Sequence, residues 1–155
     1  MVDLCRRTEL DRDLELMYFG FKRLVEAPDR ILAARRLSRM YHRVLYFVAR
    51  RPGLSVGDLL AALDVTKQAV NAPLRTLLHT GLVRAEADSR DRRIRRLHLS
   101  PRGAALEARL SGIQRRHLAR IFTRAGDPAE RGWREVMKAM GAGTISVGLR
   151  RNRNR

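Results

Sequence analysis

The chain of 155 residues contains one cysteine, Cys5, and no long apolar run. A single thiol cannot form an internal disulfide, which agrees with a reducing compartment, and it excludes a structural zinc site built from cysteines. No segment approaches the roughly 18 apolar residues of a membrane span. Residues 1–13 carry acidic side chains where a secretory signal would have an apolar core. These absences predict a cytoplasmic protein with no membrane partner.

Acidic residues are also scarce. The chain has 16 Asp and Glu against 33 Lys and Arg, so its formal net charge is +17. Such an excess exceeds what solubility requires and predicts a polyanionic partner. An acidic membrane would call for an amphipathic anchor or a lipidation signal, so nucleic acid is the favoured partner. The length predicts one domain with no room for a separate catalytic module.

Apolar spacing predicts two helices in the first third of the chain. Apolar residues recur at intervals of four and three over about residues 8–27, and Pro28 is expected to end that helix. A more thoroughly apolar helix, expected to be central, follows from Ile31 and stops before Arg51-Pro52-Gly53.

Two shorter helices come next. Ser55 and Asp58 form a capping pair that opens the first, and Thr66 caps the second, which Gly81 ends. Two short helices joined by a tight turn are a helix-turn-helix. The residues expected to face inward on its second helix are Ala69, Val70, Leu74, Leu77 and Leu78.

From Leu82 the apolar period changes to two, which predicts a two-stranded hairpin around the polar loop 88–93. Ser100-Pro101 then begins a long helix, and Asp127-Pro128 begins another that is expected to end near Gly141. The basic stretch 142–155 is expected to be poorly ordered. The predicted fold class is therefore mainly α with a small β-hairpin wing: a winged helix-turn-helix flanked by terminal helices.

The helix-turn-helix supplies candidates for DNA contact. Short polar or cationic side chains at the start of its second helix can reach base edges in the major groove. The candidates are Lys67, Gln68, Asn71 and Arg75, together with the two cap residues Ser55 and Thr66. The alternative is a solvated helix face without a ligand. Pro73 lacks an amide donor, so we expect this helix to kink or to start late.

Three arginines in the hairpin loop, Arg90, Arg92 and Arg93, would lie at a tip narrow enough to enter a minor groove. A charge run alone proves little. A basic loop directly after a helix-turn-helix, however, would reach the groove next to the one that the recognition helix contacts.

Three segments resemble the multiple-antibiotic-resistance regulator (MarR) family of winged-helix repressors: Gly81-Leu82-Val83, residues 88–93, and residues 97–103. A looser resemblance covers about residues 11–140. It implies a homodimer that is joined mainly by terminal helices and binds a palindromic operator on double-stranded DNA. It also implies that a small aromatic or phenolic effector releases the DNA. An aspartate and an arginine two residues later commonly stiffen the wing in this family, and Asp91 and Arg93 stand at those positions.

On this view residues 1–155 form a single domain. Its winged-helix part covers about residues 30–103, and its dimerisation helices cover about 8–27 and 102–141. Regulators of this kind bind effectors where these parts meet. The candidates there are Tyr18, Tyr41, His42 and Tyr46, although His42 could simply be held by hydrogen bonds in the core.

The four histidines are far apart in sequence, so we expect no metal and no cofactor. The hydroperoxide sensors of this family carry a reactive cysteine inside the first helix, whereas Met17 and Tyr18 occupy that region here and Cys5 is expected upstream of it, so thiol sensing is disfavoured. The predicted function is that of an effector-released, dimeric, sequence-specific transcriptional repressor. Two alternatives stay open: a ligand-independent architectural DNA-binding protein, and an enzyme that uses a winged helix only to dimerise.

Overall fold

The computed structural model describes the backbone of residues 4–150 and the side chains of residues 5–141. Its helices are α1 Leu4–Ala33, α2 Arg39–Arg50, α3 Val56–Leu63, α4 Lys67–His79, α5 Pro101–Ala125 and α6 Asp127–Arg150. Its strands are β1 Leu54–Ser55, β2 Val83–Ala87 and β3 Arg95–Leu99. The mainly helical class with a small wing is confirmed. No helix in this part of the chain combines the length and apolar character that a membrane span requires.

The break between the first two helices lies later than the sequence predicts. Pro28 is buried inside α1 and does not end it. The helix ends instead with Arg36 in the left-handed conformation, at φ 56°. There the Leu37 N–H donates to the Leu32 carbonyl and the Arg36 N–H donates to the Ala33 carbonyl, both at 2.9 Å. This pair of bonds is a Schellman motif, which ends a helix by satisfying its last carbonyls.

The core lies where α2, α4, α5 and the sheet meet. Val44, Leu45 and Val48 of α2 are almost fully buried, which confirms α2 as the central helix. Around them the other elements contribute Leu59, Val70, Leu77, Leu97 and Leu110. Helices that bury one apolar stripe leave their opposite faces free for other contacts.

The inward stripe of α4 differs from the prediction. Its buried residues are Val70, Pro73, Leu74 and Leu77, at helical spacings of three and four. Ala69 and Leu78 are exposed instead. The expected late start is wrong, because α4 begins directly after its Thr66 cap and continues to His79. Pro73 lacks only the N–H that would donate to the Ala69 carbonyl. Ala69 is exposed, so water can donate to that carbonyl instead.

The wing is a three-stranded sheet in the order β1-β3-β2, whereas the sequence predicted two strands. The short β1 pairs antiparallel with β3, with Leu54 opposite Leu97. Between β2 and β3 the register sets Val83 opposite Leu99 and Ala87 opposite Arg95. A two-residue strand carries too little periodicity to be recognised in a sequence.

Helix α6 also runs further than predicted. It continues past Gly141 to Arg150, so the expected end near Gly141 is wrong. Glycine costs a helix about 1 kcal/mol but does not forbid it, and no proline follows Pro128 to stop α6. Residues 151–155 lie outside the described residues, and the expectation for them stays a prediction.

Candidate nucleic-acid interface

The exposed face of α4 carries the side chains predicted to read bases. The Thr66 hydroxyl accepts from the Ala69 N–H at 3.4 Å and so caps the helix. All four candidates on the helix are exposed: Lys67, Gln68, Asn71 and Arg75. None of the four side chains forms a hydrogen bond or ion pair with another described residue. Two amide side chains and two cations are therefore available on one helix face.

Ser55 has a structural role at the start of α3. Its Oγ accepts from the Asp58 N–H at 3.0 Å, and the Asp58 carboxylate accepts from the Ser55 N–H at 3.1 Å. The Ser55 hydroxyl also donates to Asp58 Oδ2 at 2.7 Å. This is the reciprocal capping box that the sequence predicts. Because the hydroxyl is already used twice, a DNA contact by Ser55 would have to coexist with the cap.

The wing loop is organised by Asp88, which the sequence analysis did not single out. Its Oδ1 accepts from the Arg90 N–H at 2.9 Å and from the Asp91 N–H at 3.1 Å. Its Oδ2 accepts from Arg96 Nε at 2.6 Å, and Arg96 Nη1 reaches the Gly53 carbonyl at 3.4 Å. The backbone N–H groups of Asp91 and Arg90, followed by Arg96, lower the pKa of Asp88 to about 2.

Asp91 makes a more local contribution to the wing. Its Oδ1 accepts from the Arg93 N–H at 3.0 Å, and its carbonyl accepts from the Ile94 N–H at 2.9 Å. Both bonds come from backbone N–H groups of the loop, and Asp91 forms no ion pair with the Arg93 side chain. In the sequence, the feature that could have indicated Asp88 is its position as the first loop residue after Ala87. Its partner Arg96 could be identified only from the register of β2 and β3.

The wing tip exposes its cations. Arg90, Arg92 and Arg93 are all exposed, and none forms a salt bridge with another described residue. Loop bonds to the backbone fix the direction of the tip and leave the three guanidinium groups free. An exposed polar helix face followed by a hydrogen-bonded basic loop is an arrangement that can contact a major groove and the neighbouring minor groove of one duplex.

Comparison with known proteins agrees with this geometry. The MarR family model matches residues 37–94. The HTH-type transcriptional regulator PetP of Rhodobacter capsulatus is 42% identical over 132 residues, which cover 85% of this chain and 80% of that protein. The chain belongs to the MarR family. The HTH-type transcriptional repressor Rv2887 of Mycobacterium tuberculosis is 32% identical over 98 residues, covering 63% of this chain and 70% of that protein.

Solved MarR family structures share the fold. A MarR family regulator from Silicibacter pomeroyi, 26% identical, matches with a TM-score of 0.67 over 83% of this chain and 86% of that one. Rv2887 in complex with salicylic acid, 28% identical, matches with a TM-score of 0.57 over 81% of this chain and 93% of that one. This MarR family member is thus a DNA-binding transcriptional regulator. The family and the relatives are transcriptional regulators, which rules against the alternative of an enzyme that uses a winged helix only to dimerise.

A buried polar chain joins α2 to α5 in this MarR family protein. His42 Nε2 lies 3.1 Å from Ser111 Oγ, and the Ser111 hydroxyl donates to Glu107 Oε1 at 2.5 Å. Arg50 Nη1 reaches the same carboxylate oxygen at 2.5 Å, and its guanidinium group lies 3.8 Å from the centre of the Tyr46 ring. His42 is therefore held by a core hydrogen bond, as the alternative interpretation of this residue predicted.

Burial is the main influence on His42 and lowers the pKa of its imidazole. The Glu107 carboxylate acts in the opposite direction, and the Arg50 charge adds to the lowering. The signal in the sequence was a carboxylate, Glu107, on the apolar stripe of α5 beside Leu106 and Leu110. A buried charge at such a position requires a partner.

A cavity of about 190 Å³ lies between α1, α2 and α5. Of the four predicted effector contacts, it brings together His42 and Tyr46. Tyr18 is exposed on α1, and Tyr41 is half-buried against the core. Other side chains that line the cavity are Phe21, Phe47, Arg39, Arg43 and Gln114. Arg39 is paired with Asp29 at 2.7 Å, whereas Arg43 has no salt bridge to a described residue.

Proposed function

We propose that this chain is a homodimeric repressor that binds a palindromic operator and releases it when a small aromatic acid binds. The observation that carries the DNA part is the unpartnered amide and cation face of α4, followed directly by a basic wing tip. Gln and Asn can each form two hydrogen bonds with adenine, and Arg or Lys suits guanine. The wing arginines add charge contacts that do not depend on sequence.

The exposed apolar surface supports the homodimer. Seven large hydrophobic side chains of α1 are exposed, among them Leu14 at 60% and Leu16 at 69%. A second group lies on α5 and α6: Ile121, Trp133, Val136, Met137 and Met140. The accessible area of the chain, 12106 Å², exceeds the roughly 8,000 Å² expected for a compact monomer of this length. A second copy that covers these faces would bury part of the excess.

Light scattering tests the dimer. We expect the mass of two chains at micromolar concentration, and a single chain for Leu14→Glu combined with Met17→Glu. Leu78→Glu is the matched control, because Leu78 is an exposed leucine of the winged-helix part. A monomeric unsubstituted protein would contradict the proposal.

Selection of bound sites from random DNA tests the operator. It should give two inverted half-sites about one helical turn apart. On that operator we expect Asn71→Ala to cost about 1–3 kcal/mol, and much less on a random duplex, because phosphate contacts remain in both. Fluorescence anisotropy gives both affinities. An equal loss on the two duplexes would show that Asn71 positions the helix without reading bases, and a selection without consensus would favour an architectural protein.

The wing is tested separately through salt. Arg92→Ala combined with Arg93→Ala should weaken binding to every duplex and reduce the salt dependence of the affinity, because fewer counterions are released. Arg120→Ala with Arg124→Ala removes the same charge from α5 and is the control. If the two double variants have the same salt slope, the wing assignment fails.

The cavity between α1, α2 and α5 supports the effector part. Its volume of about 190 Å³ is below the ~300–1,000 Å³ of drug-sized sites, which favours a single-ring compound. Phe21, Tyr46 and Phe47 offer aromatic contacts, and Arg43 offers a cation without a carboxylate partner. The relative Rv2887 has been crystallised with salicylic acid and with p-aminosalicylic acid. Both compounds are aromatic acids with a single ring.

Calorimetry with salicylate tests this site. We expect saturable binding that releases the operator, and a roughly tenfold weaker affinity for Arg43→Gln, because a charge-assisted hydrogen bond is lost. Arg120→Gln is the control. Equal salicylate affinity in Arg43→Gln and the unsubstituted protein would reject this cavity as the effector site.

A further inference from the structure

A second, larger cleft lies at the other end of the winged-helix part. It has a volume of about 460 Å³ and is bounded by the α1–α2 connection, the end of α4 and the start of α5. Its apolar lining is Leu37, Leu82, Ala105 and Leu106, and its polar lining is Thr80, Arg35, Arg102 and Arg109. None of these residues lines the cavity assigned to the aromatic acid.

The three arginines at this cleft lack anionic partners. No acidic residue lines the cleft, and none of the three forms a salt bridge within the described part of the chain. Other arginines of the same protein are paired, for example Arg50 with Glu107 and Arg96 with Asp88. Cations gathered around an apolar surface repel one another, and a bound anion would relieve that repulsion.

The position of Arg102 adds to this imbalance. It is the second residue of α5, directly after Pro101. The N-terminus of a helix carries a partial positive charge, so a cation there is unfavourable and an anion is favourable. Arg109 lies two turns further along the same helix and faces the same cleft.

We propose that this cleft binds a small amphipathic organic anion, with its carboxylate or sulfonate among the three arginines and its apolar body on the leucine floor. The volume falls in the ~300–1,000 Å³ range of small-molecule sites. The apolar floor gives an organic ligand contacts that a bare inorganic ion cannot use.

Two other occupants fit the geometry less well. A DNA phosphate is disfavoured because Thr80 lies beyond the C-terminal end of α4, about 18 Å from Gln68 and about 14 Å from Asn71 along the helix. A second copy is disfavoured because the exposed apolar residues of α5 begin at Ile121, about 18 Å beyond Arg109 along the helix.

Octanoate is the probe for this site, titrated calorimetrically into the full chain, with octanamide as its neutral counterpart. We expect one octanoate per chain and no measurable binding of octanamide. Arg109→Gln should weaken octanoate by roughly tenfold, and Ala105→Phe should abolish binding by filling the cleft while keeping all three arginines. Arg120→Gln on the same helix and Arg43→Gln in the other cavity should bind octanoate like the unsubstituted protein.

Several results would overturn the proposal. Octanoate affinity that is unchanged in both Arg109→Gln and Ala105→Phe would show that octanoate binds elsewhere. Loss of octanoate binding in Arg43→Gln alone would assign it to the aromatic-acid cavity. Inorganic phosphate that competes as well as octanoate would indicate a simple anion site. A loss of affinity for random duplex in Arg109→Gln would mark a DNA contact, and dissociation of Arg109→Gln into monomers would mark a subunit contact.

Discussion

Replacing Gly103 by alanine should loosen the junction between α5 and the wing. Gly103 is buried in the first turn of α5, where the helix crosses the chain just before β2. A Cβ atom at this position would lie 1.9 Å from the Leu82 carbonyl oxygen, whereas real Cβ contacts are essentially never under 3.0 Å. The obstacle is backbone, so it cannot rotate away as a side chain would.

The magnitude follows from two opposing effects. Alanine improves helix propensity over glycine by about 1 kcal/mol. Against this, overpacking a rigid site costs about 1–3 kcal/mol or more. The Leu82 carbonyl also accepts from the Ser100 N–H at 3.0 Å and from Ser100 Oγ at 3.3 Å, and each disturbed bond costs on the order of 1 kcal/mol. We expect a net loss of about 2–4 kcal/mol.

Gly112 provides the matched control on the same helix. A Cβ there would meet Arg116 Nη1 at 3.3 Å and Arg115 Nη2 at 3.9 Å, each the far end of a flexible side chain. We therefore expect Gly112→Ala to stabilise the protein by about 0.5–1 kcal/mol. Urea unfolding at one fixed protein concentration measures both variants, since subunit association would otherwise shift the midpoint. If Gly103→Ala is as stable as Gly112→Ala, the close approach to Leu82 does not constrain α5.

Three further predictions concern charged and titratable groups. Because burial lowers the pKa of His42, the unfolded chain takes up a proton at this residue at a higher pH than the folded chain does, so stability should fall as pH drops below about 6.5. The unfolding midpoint of His42→Gln should change less with pH in that range. Equal pH sensitivity of the variant and the unsubstituted protein would refute this prediction. Asp88→Asn should make the Arg90 amide exchange hydrogen on the order of tenfold faster. Because the Asp88 pKa is lowered to about 2, the stability that its carboxylate adds should be complete above its usual pKa of 3.8 and should be lost as pH falls through about 2. Unchanged exchange in the variant would contradict its role in the loop. Glu107→Gln should lower the free energy of unfolding in urea by about 1–3 kcal/mol. This is less than the roughly 3–5 kcal/mol for breaking a fully buried ion pair, because the Arg50 side chain is 36% exposed and can regain water. No loss of stability would show that the pair of Arg50 and Glu107 contributes nothing.

Local signals predicted much of the winged helix. The Ser55 capping box, the Thr66 and Ser100 caps and the left-handed Gly81 all depend on residues within a few positions of one another. Such signals act before any tertiary contact forms, so they can be recognised from sequence. They also placed the DNA-contact candidates of α4 on an exposed face.

The errors arose where local rules have exceptions. Pro28 was expected to end α1, but a buried proline is tolerated where packing offsets the lost bond. Arg36 ends that helix in a conformation that favours glycine or asparagine. Gly141 was expected to end α6, although glycine only weakens a helix.

The sequence by itself determined the basic charge, the order of the helices and wing, and the polar face of α4, because composition, period and caps are properties of single segments. The tertiary structure decided which distant groups meet. The pair formed by Asp88 and Arg96 required the strand register, and the chain from His42 to Arg50 through Glu107 required α2 to pack on α5. Contacts between segments depend on how the intervening chain closes and packs, and no short window of sequence encodes that geometry.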